Sequence, residues 1–117
     1  MKIRTLALLA ITLFVGALTT GSASYASTGQ SGYVKTIHIM DGGIVLFHHT
    51  GTRDAPPGCA AVEPTRWAFN ATTPAGQAKL STLLTAYAAH KPITIIGYGS
   101  CAVWGDTETM NYFRTDD

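Results

Sequence analysis

Residues Arg66 to Cys101 read RWAFNATTPAGQAKLSTLLTAYAAHKPITIIGYGSC, and this stretch decides the fold. Arg66 to Asn70 forms a short strand in which Trp67 and Phe69 share one face through the two-residue period. Thr73 caps a helix and Pro74 suits its first position, where the missing N–H costs nothing. Leu80, Leu83, Leu84 and Tyr87 then recur at helical spacing, so the pattern predicts a buried stripe on a helix from Pro74 to His90. Ala75, Ala78, Ala86, Ala88 and Ala89 widen it with small residues that allow close packing on the domain's own sheet or on another subunit. Pro92 ends the helix, because it disfavours helical geometry in the residue before it. Ile93 to Ile96 is apolar on both faces, as a central strand requires, and Gly97 to Cys101 continues it less stiffly.

Working toward the N-terminus, Thr50 to Pro64 carries Pro56-Pro57-Gly58 and reads as a loop that no strand crosses. Tyr33 to Met40 and Ile44 to His49 are strand-like, and Asp41-Gly42-Gly43 between them is a hairpin signal. Ser27 to Gly32 is small and polar, which predicts a loose segment. Ahead of it, Lys2 and Arg4 precede an apolar run from Leu6 to Leu18 and a small-residue region ending Ser24-Tyr25-Ala26. That is the pattern of a secretory signal peptide over residues 1–26, with cleavage after Ala26 and with Ala23 as the alternative. The run falls short of the roughly 18 residues of a spanning helix, so no membrane span is expected in the mature chain. The expected location is therefore secreted or periplasmic, with a single domain over residues 27–117.

Removing Lys2 and Arg4 from eight Lys and Arg leaves six, against seven Asp and Glu. Such a balance supplies no electrostatic reason to bind nucleic acid. Cys59 and Cys101 are the two cysteines, and an even count in an oxidising compartment predicts a disulfide. Closing a loop of about 40 residues removes unfolded-state entropy worth about 4 kcal/mol, a useful staple for a small domain.

Beyond the helix, Val103 to Asp106 reads as a turn and Glu108 to Arg114 as a last strand. The order β-β-β-α-β-β is that of the OB-fold, a mainly β, five-stranded barrel with one helix at its end. An open α+β sheet crossed by one helix shares every local element and is the competing architecture.

The run from Arg66 to Arg114 resembles small exported bacterial proteins related to the B subunits of AB5 toxins, of the subtilase cytotoxin B type. The Trp67 strand, the PAGQAKLSTLLTAYAAHKP helix, the ITIIGYGSC strand and the closing GDTETMNYFR strand carry the resemblance. It implies an OB-fold, a ring-shaped homo-oligomer packed through the Pro74 to His90 helix, and glycan binding. Cys59 and Cys101 depart from the family pattern, in which a disulfide lies within the early strands.

Glycan recognition needs exposed aromatic rings beside hydrogen-bonding groups. Tyr33, Lys35, Tyr98, Ser100, Trp104 and Asp106 are the candidates for it. His38, His48, His49 and His90 raise a metal site, but adjacent His48 and His49 point to opposite faces of a strand, so no metal or cofactor is expected. Ser100 sits in GYGSC, which lacks the flanking pattern of a serine nucleophile, and Asp106 and Glu108 read as solvated acids of a turn. The expectation is a non-enzymatic binding module, glycan-binding and oligomeric. Its alternatives are a monomeric envelope protein acting in interaction or stress and, further off, a small hydrolase.

Overall fold

The computed structural model describes residues 26–117, so the expected leader lies, except for Ala26, outside the described residues. The strands are β1 (Thr28–Gly32), β2 (Val34–Ile39), β3 (Ile44–His49), β4 (Arg53–Asp54), β5 (Arg66–Asn70), β6 (Ile93–Gly97) and β7 (Glu108–Thr115). One helix, α1 (Pro74–Ala88), lies between β5 and β6, and a 3-10 turn spans Gly58–Ala60. Over the described residues the protein is thus mainly β with one helix, as its sequence predicts. Among the described residues no helix is long and apolar enough to cross a membrane.

Hydrogen-bonded neighbours run β2-β3-β5-β7-β6-β1-β4 in one sheet. Where five closed strands are expected there are seven, and the order has two ends, β2 and β4. The two further strands, β1 and β4, lie in segments expected to be loose or loop, each next to an expected strand. Tyr33 alone separates β1 from β2, and Thr50 to Thr52 separate β3 from β4. The first pair lies antiparallel to the second: Gln30 N–H donates to the Thr52 carbonyl (2.8 Å) and Thr50 N–H to that of Tyr33 (3.0 Å). β5 and β7 pair in parallel, and the other neighbours are antiparallel.

Both corrections to the chain's early part follow from glycine. β1 is not loose, and its sequence Thr-Gly-Gln-Ser-Gly offers no apolar side chain to bury. It is buried through Gly29 and Gly32 instead. A Cβ at Gly29 would sit 3.1 Å from the Trp67 ring, and one at Gly32 2.7 Å from the Gly51 Cα. Only a bare backbone fits between those neighbours. β4 crosses the expected loop for two residues, pairing Thr28 with Asp54 and Gly29 with Arg53.

The core unites Val34, Val45, Phe47, Trp67, Phe69, Leu83, Ala86, Ile93, Ile95 and Met110. Phe47 and Phe69 meet edge to face across β3 and β5, with ring centroids 6.2 Å apart. The disulfide joins Cys59 to Cys101 with its Cα atoms 6.2 Å apart, so the long loop before β5 is tied to the segment after β6.

Helix α1 begins as predicted, with Thr73 Oγ1 accepting from Gly76 N–H at 3.0 Å. Its buried line is Gly76, Leu83 and Ala86, with Leu80 partly covered, rather than the predicted leucine and tyrosine stripe. Leu84 is 45% exposed and Tyr87 51%. The rotation follows from Gly76, where the first turn lies directly on the end of β5. A Cβ there would overlap the Asn70 carbonyl oxygen. The helix stops at His90, whose φ of 51° is left-handed, and Lys91 N–H closes the turn on the Ala86 carbonyl at 2.9 Å.

Gly76→Ala reverses the usual rule that alanine stabilises a helix by about 1 kcal/mol over glycine. The added methyl forces α1 off β5, and urea unfolding should show a net loss of about 1–3 kcal/mol. An unchanged or higher midpoint would show that the helix start has room to shift.

Candidate functional site

The last strand reaches its shape through a bulge. Ile95 pairs with Phe113 and Ile96 with Tyr112, but Gly97 pairs with Met110, which leaves Asn111 as an extra residue. The extra residue shifts the inward phase. Met110 is buried and Phe113 packs on the core, while the intervening Tyr112 turns out and is 52% exposed.

Beside it, α1 presents Ala78, Lys79 and Thr82, and their low relief leaves a groove of about 440 Å³ against Tyr112 to Thr115. A smaller hollow of about 160 Å³ continues along the helix past Thr85, Ala86 and Ala89 to Asp116 and Asp117. Thr82 and Thr115 line both, so the two form one channel. Its floor is the small-residue flank of the helix. Its walls offer the rings of Tyr112 and Phe113, cations at Lys79, Lys91 and Arg114, threonine hydroxyls and, at the far end, the carboxylates of Asp116 and Asp117, the first of them 3.3 Å from Arg114. Thr82 and Thr85 donate to helix carbonyls one turn back, at 3.0 and 2.9 Å, and keep acceptor capacity toward the channel. The donors and acceptors suit a polar ligand, and Tyr112 supplies a face for its apolar side.

The six residues predicted for recognition do not form one site. Tyr98, Ser100, Trp104 and Asp106 share the loop between β6 and β7, and Tyr33 and Lys35 lie near the opposite end of β6. Gly32 pairs with Ile93, five residues before Tyr98, which separates the two groups by on the order of 16 Å. Tyr33 stacks flat on His90, with centroids 4.2 Å apart and planes 2° from parallel. Lys35 is exposed on β2. In the loop, Tyr98 is 55% exposed, Ser100 is exposed and Trp104 is half-buried. Asp106 accepts from Arg66 at 2.6 Å, and the guanidinium holds its carboxyl below the ordinary carboxylate range.

Glu108 corrects the prediction of a solvated acid. It is fully buried, and its carboxylate pairs with the Arg53 guanidinium. It also accepts from the Ser27 hydroxyl and from the Gly99 N–H at 2.7 Å. Arg53 Nε donates to Ser27 Oγ (3.1 Å), and Nη1 donates to the carbonyls of Pro64 (2.8 Å) and Arg66 (3.2 Å). The guanidinium lies 3.7 Å from the Trp67 ring centroid. Every polar group in this cluster is matched, so it acts as a structural clasp. Strand period held a clue, since Glu108 and the core residue Met110 share a face.

His38 and His48 meet across β2 and β3 with centroids 6.3 Å apart. Among the described residues no group of three or more His, Cys, Asp or Glu could hold a metal ion. His49 is buried; its Nε2 donates to the Ile93 carbonyl at 3.0 Å, so that nitrogen carries the proton. Burial pushes its pKa down, and the backbone of Ile93 and Gly32 opposes this only in part.

No protein family, curated protein or solved structure matches the chain.

A His49 pKa below its unfolded value of about 6.5 means that the unfolded chain binds the proton more readily. Stability from neutral His49 is full above about pH 6.5 and is lost as the pH falls through the folded value. His49→Gln keeps a donor for Ile93 and should flatten the decline of melting temperature as the pH falls below about 6.5. A parallel decline in both proteins would assign it to other groups.

Proposed function

We propose that the protein is an exported, non-enzymatic binding module of the OB type, which takes a glycan in the channel between α1 and β7 and assembles as a homo-oligomer through α1. The observation that carries the reading is the exposed Tyr112 beside Lys79, Arg114, Thr82 and Thr115 in a groove of about 440 Å³. A sugar ring stacks its C–H face on an aromatic ring and spends its hydroxyls on nearby donors and acceptors. The groove's polar side chains are hydroxyls and cations, a set suited to holding a ligand.

Several features support the remaining parts of the reading. An intact disulfide fits an oxidising compartment, as does the leader-like pattern of residues 1–26. The OB-type barrel draws support from the continuity of β1 with β2, which gives this bent strand β6 on one side and β3–β4 on the other. The parallel pairing of β5 with β7 fits the same topology. Exposed Leu84 and Tyr87 supply an apolar flank on α1 for a second copy.

On a glycan array followed by titration calorimetry, the mature protein should bind a defined set of glycans. Tyr112→Ala should weaken that binding at least tenfold, about 1.4 kcal/mol, with an unchanged circular dichroism spectrum. An array without hits for the folded protein would remove the glycan reading.

Light scattering coupled to size exclusion should report a closed oligomer, and Leu84→Asp should convert it to monomer. A monomeric wild-type protein would favour the alternative, an envelope protein acting alone.

A further inference from the structure

Ser27 is fully buried, although its neighbour Ala26 is exposed and β1 offers no apolar side chain to draw the segment inward. Its burial is polar. Ser27 N lies 3.4 Å from Glu108 Oε1, its hydroxyl donates to Oε2, and its carbonyl accepts from Gly97 N–H at 2.8 Å. The residues just before it, Ser24-Tyr25-Ala26, place small side chains at the third and first positions ahead of the Ala26–Ser27 bond, as leader cleavage requires.

We propose that the Ala26–Ser27 bond is cut during export and that the freed α-ammonium of Ser27 docks on Glu108, so that processing completes the clasp holding β1. In the cleavage, catalysed by the exporting cell's leader peptidase, water adds across the peptide bond. Ala26 leaves with the new carboxylate, and Ser27 keeps the amine, which takes up a proton at neutral pH. Because Ser27 is buried in the folded domain, the cut comes first and the docking second.

The geometry accommodates two cations. Arg53, from β4, meets Oε2, and the amine faces Oε1, which also receives the Gly99 N–H. Arg53 and Glu108 are the charged groups contacting Ser27. β6 contributes the Gly97 N–H, and the neighbouring Asp54 is exposed and bonded to Gln30 at 2.7 Å. A charge-assisted bond is about twice as strong as the neutral amide bond it replaces. The gain falls on the strand least able to hold itself by burial. This inference shares only the export premise with the proposed function, and its test involves no ligand.

The full chain is expressed with its own leader and the exported product is weighed intact. Its mass should match a disulfide-bonded chain beginning at Ser27; a start at any other residue overturns the proposal. A second full-length chain carries one alanine inserted after Ala26, so that its product keeps a residue ahead of Ser27. An amine paired with Glu108 has its pKa raised above the unfolded value of about 8. Its contribution is therefore complete below that value and lost as the pH rises through the folded one. At pH 7 the Ser27-start protein should melt at least about 4 °C above the inserted-alanine product, and the gap should close toward pH 10. Equal melting temperatures at pH 7, or a gap indifferent to pH, would overturn the docking.

Discussion

The pairing of Glu108 with Arg53 is the constraint on which the rest of this small sheet depends. A buried carboxylate and guanidinium recover their lost hydration only when every donor and acceptor is matched. Here Ser27, the Gly99 amide, and the carbonyls of Pro64 and Arg66 complete the match. The partners come from β1's leading edge, β4, the loop before β5, β5 itself, the loop after β6, and β7, so one ion pair ties six segments together. Removing one member of such a pair costs about 3–5 kcal/mol, a large part of the 5–15 kcal/mol available to a typical domain. Trp67 joins this clasp to the core, with its ring beneath the guanidinium and its body among Phe47, Phe69 and Ile95.

The candidate site is a product of two small backbone events. The extra residue at Asn111 turns Tyr112 outward while keeping Phe113 on the core. The contact of Gly76 with the end of β5 rotates α1 so that its alanine and threonine flank faces β7 and its Leu84–Tyr87 flank stays open. Both surfaces proposed for recognition, the channel and the apolar flank, belong to one helix held at one angle. A change at Gly76 would therefore reach ligand binding as well as stability.

Much of the chain was legible before folding. The hairpin at Asp41-Gly42-Gly43, the Trp67 strand, the Thr73 cap and the end of α1 before Pro92 all follow from local chemistry acting within a few residues. The disulfide was legible from composition, since the chain holds two cysteines and they pair. β1 was not legible, because Thr-Gly-Gln-Ser-Gly carries no strand propensity and is placed by neighbours 20 to 70 residues away. The predicted helical stripe of Leu80, Leu83, Leu84 and Tyr87 was right in period and wrong in phase. Periodicity states that a helix has an apolar side, while the close approach at Gly76 selects which side is pressed down.

By itself, the sequence determined a mainly β domain with one capped helix in a known place and one disulfide, since propensity, capping, turn chemistry and cysteine count are local or compositional properties. Only the tertiary structure decided the rest. It added β1 and β4 beside the expected early strands and assembled Ser27, Arg53 and Glu108 across 81 positions of chain. It also separated Tyr33 and Lys35 from the Tyr98–Asp106 loop and opened the Tyr112 channel. These outcomes turn on which backbones approach closely and which buried charge finds its partner. That is a property of packing in three dimensions, and no window of sequence contains it.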